Sequence, residues 1–572
     1  MVSRRLDYAR GVVQRARAVV GAASQVAPAA LLLVAVGIPC AQLLAVGFPH
    51  AYDSRPHLVW SQHFASQLWA GELYPRWLAA VGDGFGAPVF FFYPPLAYYV
   101  SGALHPLLPA AESAPLRLAL ATALALVAAA LALFAWLRRH LGPSPAALGA
   151  ALYTLAPYHV MIDVWLRGAY AEVWAFAWPP CLLWAVDEAG ARPPRALLAL
   201  AVGAALLLLT HPPTALTALP LVGVYAVACA VRARSAAPAL VGLLGLAFGA
   251  GLAGAYLATA LTHGPFVDQQ HMFRGHYDYR GSFLFAALPL LPHSWMQGGA
   301  LAMAGASAAV ALGLPRASSR GSVPPAAGWL ARFAGACAAA YLFLMLPVSG
   351  PVWERLPLLQ KIQFPWRLSL ELVLLASASL AAAFAWGLGA RPERAGRLWA
   401  GAGVGVLLLL GATLFVGPHK PIKPARAARY LAESRSQPEH RVPHAEDPTA
   451  LLGPGQRVAF ARGAGEARVE AWAPRRIALL VESDGAARLA LRQQLYPGWQ
   501  ARAEGQPCCL PVDGLRAYGI VAIDLPPGRH RVRVTLGPTP YERAGWIASG
   551  VSAALLAATA GLWRRGARGA AC

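Results

Sequence analysis

Long apolar runs recur along the 572 residues of this chain, and they constrain its fold more than any other feature. Many of them contain about 20 residues, which is the length that an α-helix needs to cross the hydrocarbon core of a bilayer. Hydrophobic residues make up 57% of the sequence, a share that soluble proteins rarely reach. The pattern therefore predicts a polytopic α-helical membrane protein.

The arginines stand mainly at the ends of these apolar runs. A net charge of +22 would also suit a nucleic-acid-binding protein, but such proteins gather their basic residues in one patch or stripe. Positive residues beside membrane helices instead set the orientation of the chain, with the positive ends in the cytoplasm. The basic N-terminus, with Arg4, Arg5 and Arg10, is therefore expected inside, and the loop from Phe48 outside. No nucleic-acid partner is expected.

The segment 90–108 decides the topology of everything that follows it. Its prolines, Pro94 and Pro106 among them, oppose one straight helix. If the segment does not cross, the arginines of the later loops, such as Arg138 and Arg139, fall inside throughout, and so do both termini. We therefore expect 90–108 to be a juxtamembrane or re-entrant helix at the outer face. The predicted crossing helices, about 12 in number, are 27–46, 115–137, 145–162, 170–187, 195–211, 214–231, 237–259, 297–314, 328–347, 368–388, 398–416 and 543–563.

The composition changes after residue 417. Charged residues become frequent, and the short alternating pieces RVAFA, RIALLVES and HRVRVTL are separated by turn signals such as SDG, VDG and PPG. This pattern predicts a mostly β domain of sandwich type. The predicted domains are a transmembrane domain 1–417 with an outer loop 48–114, a periplasmic β domain 418–541, and a last helix with a cytoplasmic tail 542–572.

Asp53 and His57 follow the first apolar run, in a loop that is dense in Trp, Tyr, Phe and Pro. A carboxylate at a membrane face can act as a general base, and desolvation beside aromatic rings would raise its pKa. The alternative for Asp53 is a helix N-cap, because Ser54 and Pro56 follow it. His57, four residues further on, shares a helical face with Asp53, and the pair could also ligate a divalent ion.

A second charged cluster contains Asp163, Arg167 and Glu172. One interpretation is a local ion pair, because Asp163 and Arg167 are four residues apart. The other places Asp163 and Asp53 on either side of one site, with Arg167 on a phosphate, since a guanidinium fork binds two phosphate oxygens. Further outward-facing candidates for that role, each of which could instead contact lipid headgroups, are Arg76, Arg274, Arg280, Lys361 and Arg367.

The aromatic residues of the first loop also suit two interpretations. Trp60 and Tyr93, with their aromatic neighbours, fit the belt that anchors helices at the membrane interface. They equally fit a groove for a prenyl chain or a sugar ring. His211, in the string THPP, is expected on the same outer face.

Several strings resemble a known group of proteins. The string DSRPHLVW…GELYPRW…GFGAPVFFFYPPLAYY resembles the first outer loop of GT-C-type membrane glycosyltransferases. RGAYAE, LTHPPTAL, KIQFPWR and YPGW follow in the same order, so the resemblance covers nearly the whole chain. It is nearest to bacterial membrane proteins labelled 6-pyruvoyl-tetrahydropterin-synthase-related and to YfhO-like proteins. No pterin-synthase zinc motif is present, so that label indicates no chemistry here.

The resemblance implies a GT-C-like fold with an outer site. A polyprenyl-phosphate sugar would enter from the lipid and be transferred, with inversion, to an extracytoplasmic glycolipid, polysaccharide or protein. In this superfamily an acidic residue just after the first helix serves as base or metal ligand, and Asp53 stands there. Asp163 corresponds by topology to a second acidic residue of some members. The motifs do not choose between a metal-free reaction and one assisted by Mg²⁺ or Mn²⁺, which Asp53, Asp163 and His57 would hold.

The resemblance also implies a location and a set of binding residues. The expected location is the bacterial inner membrane, with both termini cytoplasmic and the site periplasmic.

Two alternative functions stay open. One is a lipid-linked-sugar flippase or transporter, which would show ionisable groups inside helices and internal symmetry; the other is a non-catalytic envelope-assembly protein. The expected donor-phosphate ligands are Arg76, Arg167 and Arg367, and the expected groove residues are His57, Tyr93, Glu172, His211 and Arg274.

Overall fold

A computed structural model of the chain describes residues 27–286, 293–318, 325–390, 394–416, 420–505, 510, 512–515 and 517–569. The adjacent Cys508 and Cys509, which the sequence leaves open as a vicinal disulfide or two free thiols, lie outside these ranges. No cis peptide bond occurs within them.

Helices dominate the chain up to residue 433. Several begin with proline in the first turn, where the missing N–H group is no loss to the helix. The helices are Ala27–Val46, Ser54–Trp69, Val89–Phe92, Leu96–Ala103, Ala114–Leu141, Pro143–Leu155, Tyr158–Arg167, Tyr170–Ala175, Trp178–Glu188, Pro193–Leu208, Pro212–Ala233, Ala237–Leu252, Gly254–Thr262, His293–Ser318, Pro325–Met345, Gly350–Arg355, Pro357–Gln360, Ser369–Ala390, Ala395–Val416, Pro424–Glu433 and Pro540–Gly569.

The chain is a multi-pass membrane protein. Within the described residues, six helices are long and apolar enough to cross a bilayer, or seven if the bent pair Ala237–Leu252 and Gly254–Thr262 is one span. The predicted count of about 12 is not confirmed. The predicted crossing 145–162, for example, is interrupted by Pro157, and Pro193–Leu208 has only 16 residues.

The segment after the first outer helix does not cross. It forms two helices, Val89–Phe92 and Leu96–Ala103, of four and eight residues, which are too short to span a bilayer. The second packs against Ser54–Trp69, where Ser61 and Ser101 share a hydrogen bond of 2.9 Å between their hydroxyls. The prediction that 90–108 does not cross agrees with this geometry, and its placement at the outer face stays a prediction.

Two four-stranded antiparallel sheets follow the helical part. The strands are β1 Val458–Arg462, β2 Gly465–Ala473, β3 Arg476–Ser483, β4 Ala487–Gln494, β5 Trp499–Ala503, β6 Val512–Leu515, β7 Ile520–Leu525 and β8 Gly528–Leu536. Their order is β1-β4-β7-β6 in one sheet and β2-β3-β8-β5 in the other. Alternate residues, such as Leu479 and Val532 of one sheet and Leu489 and Ile523 of the other, are buried in one shared core. The C-terminal region is therefore sandwich-like, as predicted.

The first outer loop is fastened to the β region and to the last helix. The Trp77 side chain is fully buried, and its indole N–H donates to Gln493 at 3.2 Å. Beside it, Arg76 is buried against Glu542 at the start of the last helix, with 2.9 Å between Nη1 and Oε1. Gly86 lies so close to Trp77 that a Cβ there would fall 2.4 Å from its Nε1 atom. These contacts hold the loop beneath the β region.

Candidate active site

Asp53 stands directly before the helix Ser54–Trp69 but does not cap it. Its side chain makes no hydrogen bond to the first turn, so the N-cap alternative is not what the structure shows. The backbone N–H of Asp53 instead donates to the carbonyl of Arg167 at 2.7 Å. The carboxylate is 46% exposed, and its Oδ2 lies 3.9 Å from Nη2 of Arg167. Asp53 is therefore presented to an open space rather than used by its own helix.

That space is a cleft of about 490 Å³ in which acidic, basic and aromatic side chains meet. Three parts of the chain supply most of its wall: the first outer loop, the segment 272–282, and the residues around 363–367. Its lining residues are Tyr52, Asp53, Pro56, His57, Trp60, Tyr93, Arg167, Met272, His276, Tyr277, Ser282, Gln363, Phe364, Trp366, Arg367, Gln437 and Glu439. A cleft of this size and composition suits a small polar group with an apolar extension.

A wide helical turn brings Arg167 to the cleft. Tyr158–Arg167 is a π-helix, a rare form that often occurs at functional sites. It ends at Gly168, whose φ is +65° and where a Cβ would meet the Ser54 hydroxyl at 2.4 Å. Only glycine fits this left-handed position without displacing Ser54. The close approach places Arg167 beside Asp53.

Buried carboxylates hold one side of each arginine. Nη1 of Arg167 donates to Asp163 at 2.6 Å and to Glu172 at 2.7 Å. Nη1 of Arg367 donates to the carbonyl of Ile362 at 2.8 Å and to Gln363 at 3.0 Å, and its Nε lies 3.5 Å from Glu172. Among the described residues, Nη2 of each guanidinium has no hydrogen-bond partner, which leaves donors for a ligand.

Aromatic rings fix the planes of these two guanidinium groups. Arg167 lies over the ring of Trp366 at 5.0 Å, and Arg367 lies over Phe364 at 4.8 Å. The two rings stack on each other, with their centroids 4.9 Å apart. Guanidinium groups stack well on aromatic faces, so the pair is held in one orientation before any ligand arrives.

The protonation of the cleft follows from these neighbours. Desolvation by the protein around the cleft raises the pKa of Asp53, although its side chain is partly exposed. Arg167 and Arg367 oppose that rise, and Glu172 and Glu439 add to it. Burial, with a smaller contribution from the nearby Arg167, lowers the pKa of His57 to about 3. Burial would raise the pKa of Glu172 as well, but Arg167 and Arg367 outweigh it and bring that pKa to about 2. At neutral pH Glu172 is therefore ionised and His57 is neutral.

The structure separates the predicted site residues into three groups. Five line the cleft: Asp53, His57, Tyr93, Arg167 and Arg367. A second group, Asp163, Glu172 and His211, lies buried behind the two arginines. The third group, Arg76 and Arg274, is not among the cleft residues.

Asp163 was expected to be catalytic, and its position argues against that role. Its side chain is fully buried, and it reaches the cleft only through Arg167. Burial raises its pKa well above the usual value, with Glu172 adding to the rise and Arg167 opposing it. Its Oδ2 atom has no hydrogen-bond partner among the described residues. This position suits a support for Arg167 better than a group that meets substrate.

Arg76 was expected to bind the donor phosphate, and its position argues against that as well. Its guanidinium is buried and already neutralised by Glu542 at 2.9 Å, and it also donates to the carbonyl of Ala255 at 2.6 Å. Arg274 is exposed and donates to Gln270, while Met272 and His276 on either side of it line the cleft. Neither arginine is among the residues that line the cleft.

Sequence reasoning missed Glu439 and Gln437. They lie between the helix Pro424–Glu433 and strand β1, far along the chain from Asp53, and they line the same cleft. Gln363 was also missed: its φ is +68°, which is strained for a residue other than glycine, and its amide joins Arg367 to the carbonyl of Met272 at 2.7 Å. No local sequence pattern indicated that Glu439, Gln437 or Gln363 belongs to the site.

The residues suggested for Mg²⁺ or Mn²⁺ do not stand together as one group of ligands in the described structure. In the described part of the chain, no three His, Cys, Asp or Glu side chains stand together in a metal-holding group. His57 shares a hydrogen bond of 2.6 Å with the Tyr98 hydroxyl, and Asp163 is taken up by Arg167. His57 and Asp163, the two further metal ligands suggested beside Asp53, are thus engaged by other side chains.

Comparison with known proteins gives a limited result. No protein-family model matches the chain, and no curated protein gives a significant match. The chain is similar to ArnT from Cupriavidus metallidurans bound to undecaprenyl phosphate, at 16% identity over 72% of this chain and 77% of that chain, with a TM-score of 0.39. It is also similar to the arabinosyltransferase EmbB from Mycobacterium smegmatis, at 14% identity over 88% of this chain and 62% of that chain, with a TM-score of 0.36.

These similarities agree with the resemblance to GT-C-type membrane glycosyltransferases. They do not address the YfhO-like relation. With TM-scores below 0.5, they carry no argument about what this chain binds or transfers. The proposed function therefore rests on the residues of the cleft.

Proposed function

We propose that this protein is a membrane glycosyltransferase that moves a sugar from a polyprenyl phosphate to a hydroxyl of an extracytoplasmic acceptor. One observation carries the proposal: Asp53, a carboxylate with a raised pKa, lines the same cleft as two arginines whose Nη2 groups make no hydrogen bond within the described residues. Inverting sugar transfer needs a base for the acceptor and positive charge for the departing phosphate. The site offers both.

These residues account for each part of the proposed reaction step. The acceptor hydroxyl gives its proton to Asp53, and its oxygen forms a bond to the anomeric carbon. The bond between that carbon and the phosphate oxygen breaks, and polyprenyl phosphate leaves with the electron pair. Arg167 and Arg367 hold the phosphate and stabilise the growing charge. No step is assigned to a metal ion.

The surrounding residues suggest how each part of the donor is held. Trp60, Tyr93 and Tyr277 provide ring faces beside the charged groups, as sugar rings and prenyl chains require. The cleft is formed around the outer loop, and the polyprenyl chain would remain in the lipid. We place the protein in the bacterial inner membrane, with both termini in the cytoplasm and this cleft in the periplasm, because the arginine pattern favours that orientation.

A flippase or transporter is the second candidate, and one observation favours it. Glu371 lies fully buried within the span Pro365–Ala390, where it accepts a hydrogen bond of 2.6 Å from Thr217. An ionisable group inside the membrane often marks a transport path. Glu371, however, does not line the cleft, whereas Arg167 and Arg367 do. The cleft therefore favours the transferase over the flippase.

The test is turnover by the full chain in lipid nanodiscs. A panel of polyprenyl-phosphate sugars would be offered with an envelope extract as the acceptor source, and release of polyprenyl phosphate would be measured. The proposal predicts release with at least one donor, together with labelled acceptor. Movement of labelled donor across proteoliposome membranes, with no release from any donor, would instead establish the flippase.

A further inference from the structure

Two arginines face each other on the outer side of the sheet β2-β3-β8-β5. Arg502 of β5 and Arg533 of β8 are direct cross-strand partners in the antiparallel register, and both side chains are exposed. Directly opposed residues on one face of a sheet have their Cβ atoms about 4.5–5.5 Å apart, and like charges in that arrangement destabilise the sheet. The pair is therefore a local cost to the fold that needs an explanation.

No group in the described part of the chain relieves this repulsion. Among the described residues, neither Arg502 nor Arg533 has an ion-pair or hydrogen-bond partner, and the undescribed residues 506–509 that follow β5 contain no acid. The neighbouring Arg531 shows the contrast: Glu470 accepts from its Nε at 2.7 Å and from its Nη2 at 3.0 Å, and Glu504 lies 3.9 Å away. Carboxylates are present at this face but are arranged around Arg531.

The arginine pair borders a groove of about 520 Å³. Ala471 and Ala478 contribute small side chains to its wall, so the space between the long charged residues stays open. The polar residues that line it are Glu470, Arg502, Glu504, Arg531 and Arg533. The groove is separate from the cleft of Asp53, with which it shares no lining residue.

We propose that this groove binds an acidic saccharide, with a carboxylate or phosphate group of the ligand bridging Arg502 and Arg533. Planar guanidinium groups bind such oxyanions through paired hydrogen bonds, which would relieve the repulsion. Glu504, 69% exposed, and Glu470 can accept hydrogen bonds from sugar hydroxyls but would repel a continuous polyanion. The mixed charge thus favours a sugar with isolated acidic groups. The idea that this saccharide is the acceptor of the transfer rests on the proposed function. The binding of the saccharide to the groove does not depend on that function.

Binding to the full chain in nanodiscs of neutral lipid tests the proposal. The probes are a galactose trisaccharide in which one sugar is replaced by galacturonic acid, the matching neutral galactose trisaccharide, and inorganic phosphate. The wild type should bind the acidic trisaccharide at least about tenfold more tightly than the neutral one, since charged hydrogen bonds are the strong ones. Equal affinity for the two trisaccharides would overturn the proposal. So would phosphate binding as tight as that of the acidic sugar, because the groove would then recognise a bare anion.

The variants localise the binding. The double variant Arg502→Gln and Arg533→Gln should lose about tenfold or more of the affinity for the acidic trisaccharide. Arg529→Gln is the matched control, because Arg529 is exposed on the same strand but faces Glu482 across the sheet. It should keep the wild-type affinity. An equal loss in both variants would show a general effect of charge and contradict the site.

A second measurement separates this inference from the proposed function. Release of polyprenyl phosphate by hydrolysis of the donor should be the same in the double variant and the wild type, while transfer to an acidic acceptor falls. If no donor is turned over by any variant, but acidic-sugar binding still depends on the arginine pair, the groove stands and the proposed function fails. Loss of donor hydrolysis together with loss of binding would overturn the separation of groove and cleft.

Discussion

Asp53 and Arg167 are joined twice: the N–H of Asp53 donates to the carbonyl of Arg167 at 2.7 Å, and their side chains approach to 3.9 Å between Oδ2 and Nη2. The backbone bond sets the distance between the first outer loop and the end of the π-helix. The side chains then meet without a tight hydrogen bond, so each keeps capacity for a ligand. A proton acceptor and a phosphate ligand can in this way serve one reacting sugar.

Arg167→Lys should remove phosphate binding while retaining the positive charge. Lysine lacks the planar fork that donates to Asp163 and Glu172 and still presents a second nitrogen to the cleft. We expect turnover to fall by about 100-fold or more, as when a donor to a developing oxyanion is removed. Initial rates of polyprenyl phosphate release measure this. Arg274→Lys, outside the cleft, should keep normal rates; a fall there to the same level would contradict the assignment.

Asp163→Asn should be far milder than a change at Asp53. Burial raises the pKa of Asp163, and asparagine keeps an oxygen that can accept from Arg167. We expect a loss of turnover below about tenfold, in the range of one neutral hydrogen bond. The same release assay measures it. Complete inactivity of Asp163→Asn in a folded protein would restore the catalytic role that the sequence suggested.

The rate of transfer should fall as the pH drops through the raised pKa of Asp53. Asp53 must be ionised to accept a proton, so activity is present above that pKa and lost below it. Arg367 favours the ionised form, and Arg367→Gln should therefore raise the pKa further and move the acid limb to higher pH. A pH profile of kcat/KM for the two proteins measures the shift. An acid limb that stays in place or moves to lower pH would contradict this role.

Arg76→Met should destabilise the protein because it leaves Glu542 buried without its partner. Breaking such a pair typically lowers the free energy of unfolding by about 3–5 kcal/mol. Thermal unfolding in detergent measures the loss, and Arg475→Met is the control, since its pair with Glu72 is partly exposed and should matter by less than about 1 kcal/mol. A stable Arg76→Met protein with lost donor binding would return Arg76 to the phosphate site.

The sequence was informative where a property depends on neighbours along the chain. The apolar runs, the break at 90–108 and the alternating strands were all predictable, because helix length, proline and period-two patterns are local. The same applies to Asp53, which follows directly after the first helix. The number of spans was missed for two reasons: the break at Pro157 was overlooked within the predicted helix 145–162, and the 70° bend after Leu252 depends on packing.

Partners that lie far apart in sequence could not be predicted. Arg76 stands among aromatics in the first loop, and nothing near it shows that Glu542, 466 residues later, takes up its charge. Glu439 reaches the cleft from the segment before the β region, and its neighbours in sequence indicate only a linker. The ion pair of Asp163 and Arg167 was foreseen from their spacing, but its burial behind the cleft was not.

The most direct test compares wild type, Asp53→Asn and Asp484→Asn for release of polyprenyl phosphate from the best donor. Asp484 lies exposed in a turn of the β region, so its substitution makes the same chemical change away from the cleft. The account predicts release by the wild type and by Asp484→Asn, and none above background by Asp53→Asn with its thermal unfolding unchanged. Release at the wild-type rate by Asp53→Asn would contradict the account, because the cleft would then work without its proposed base.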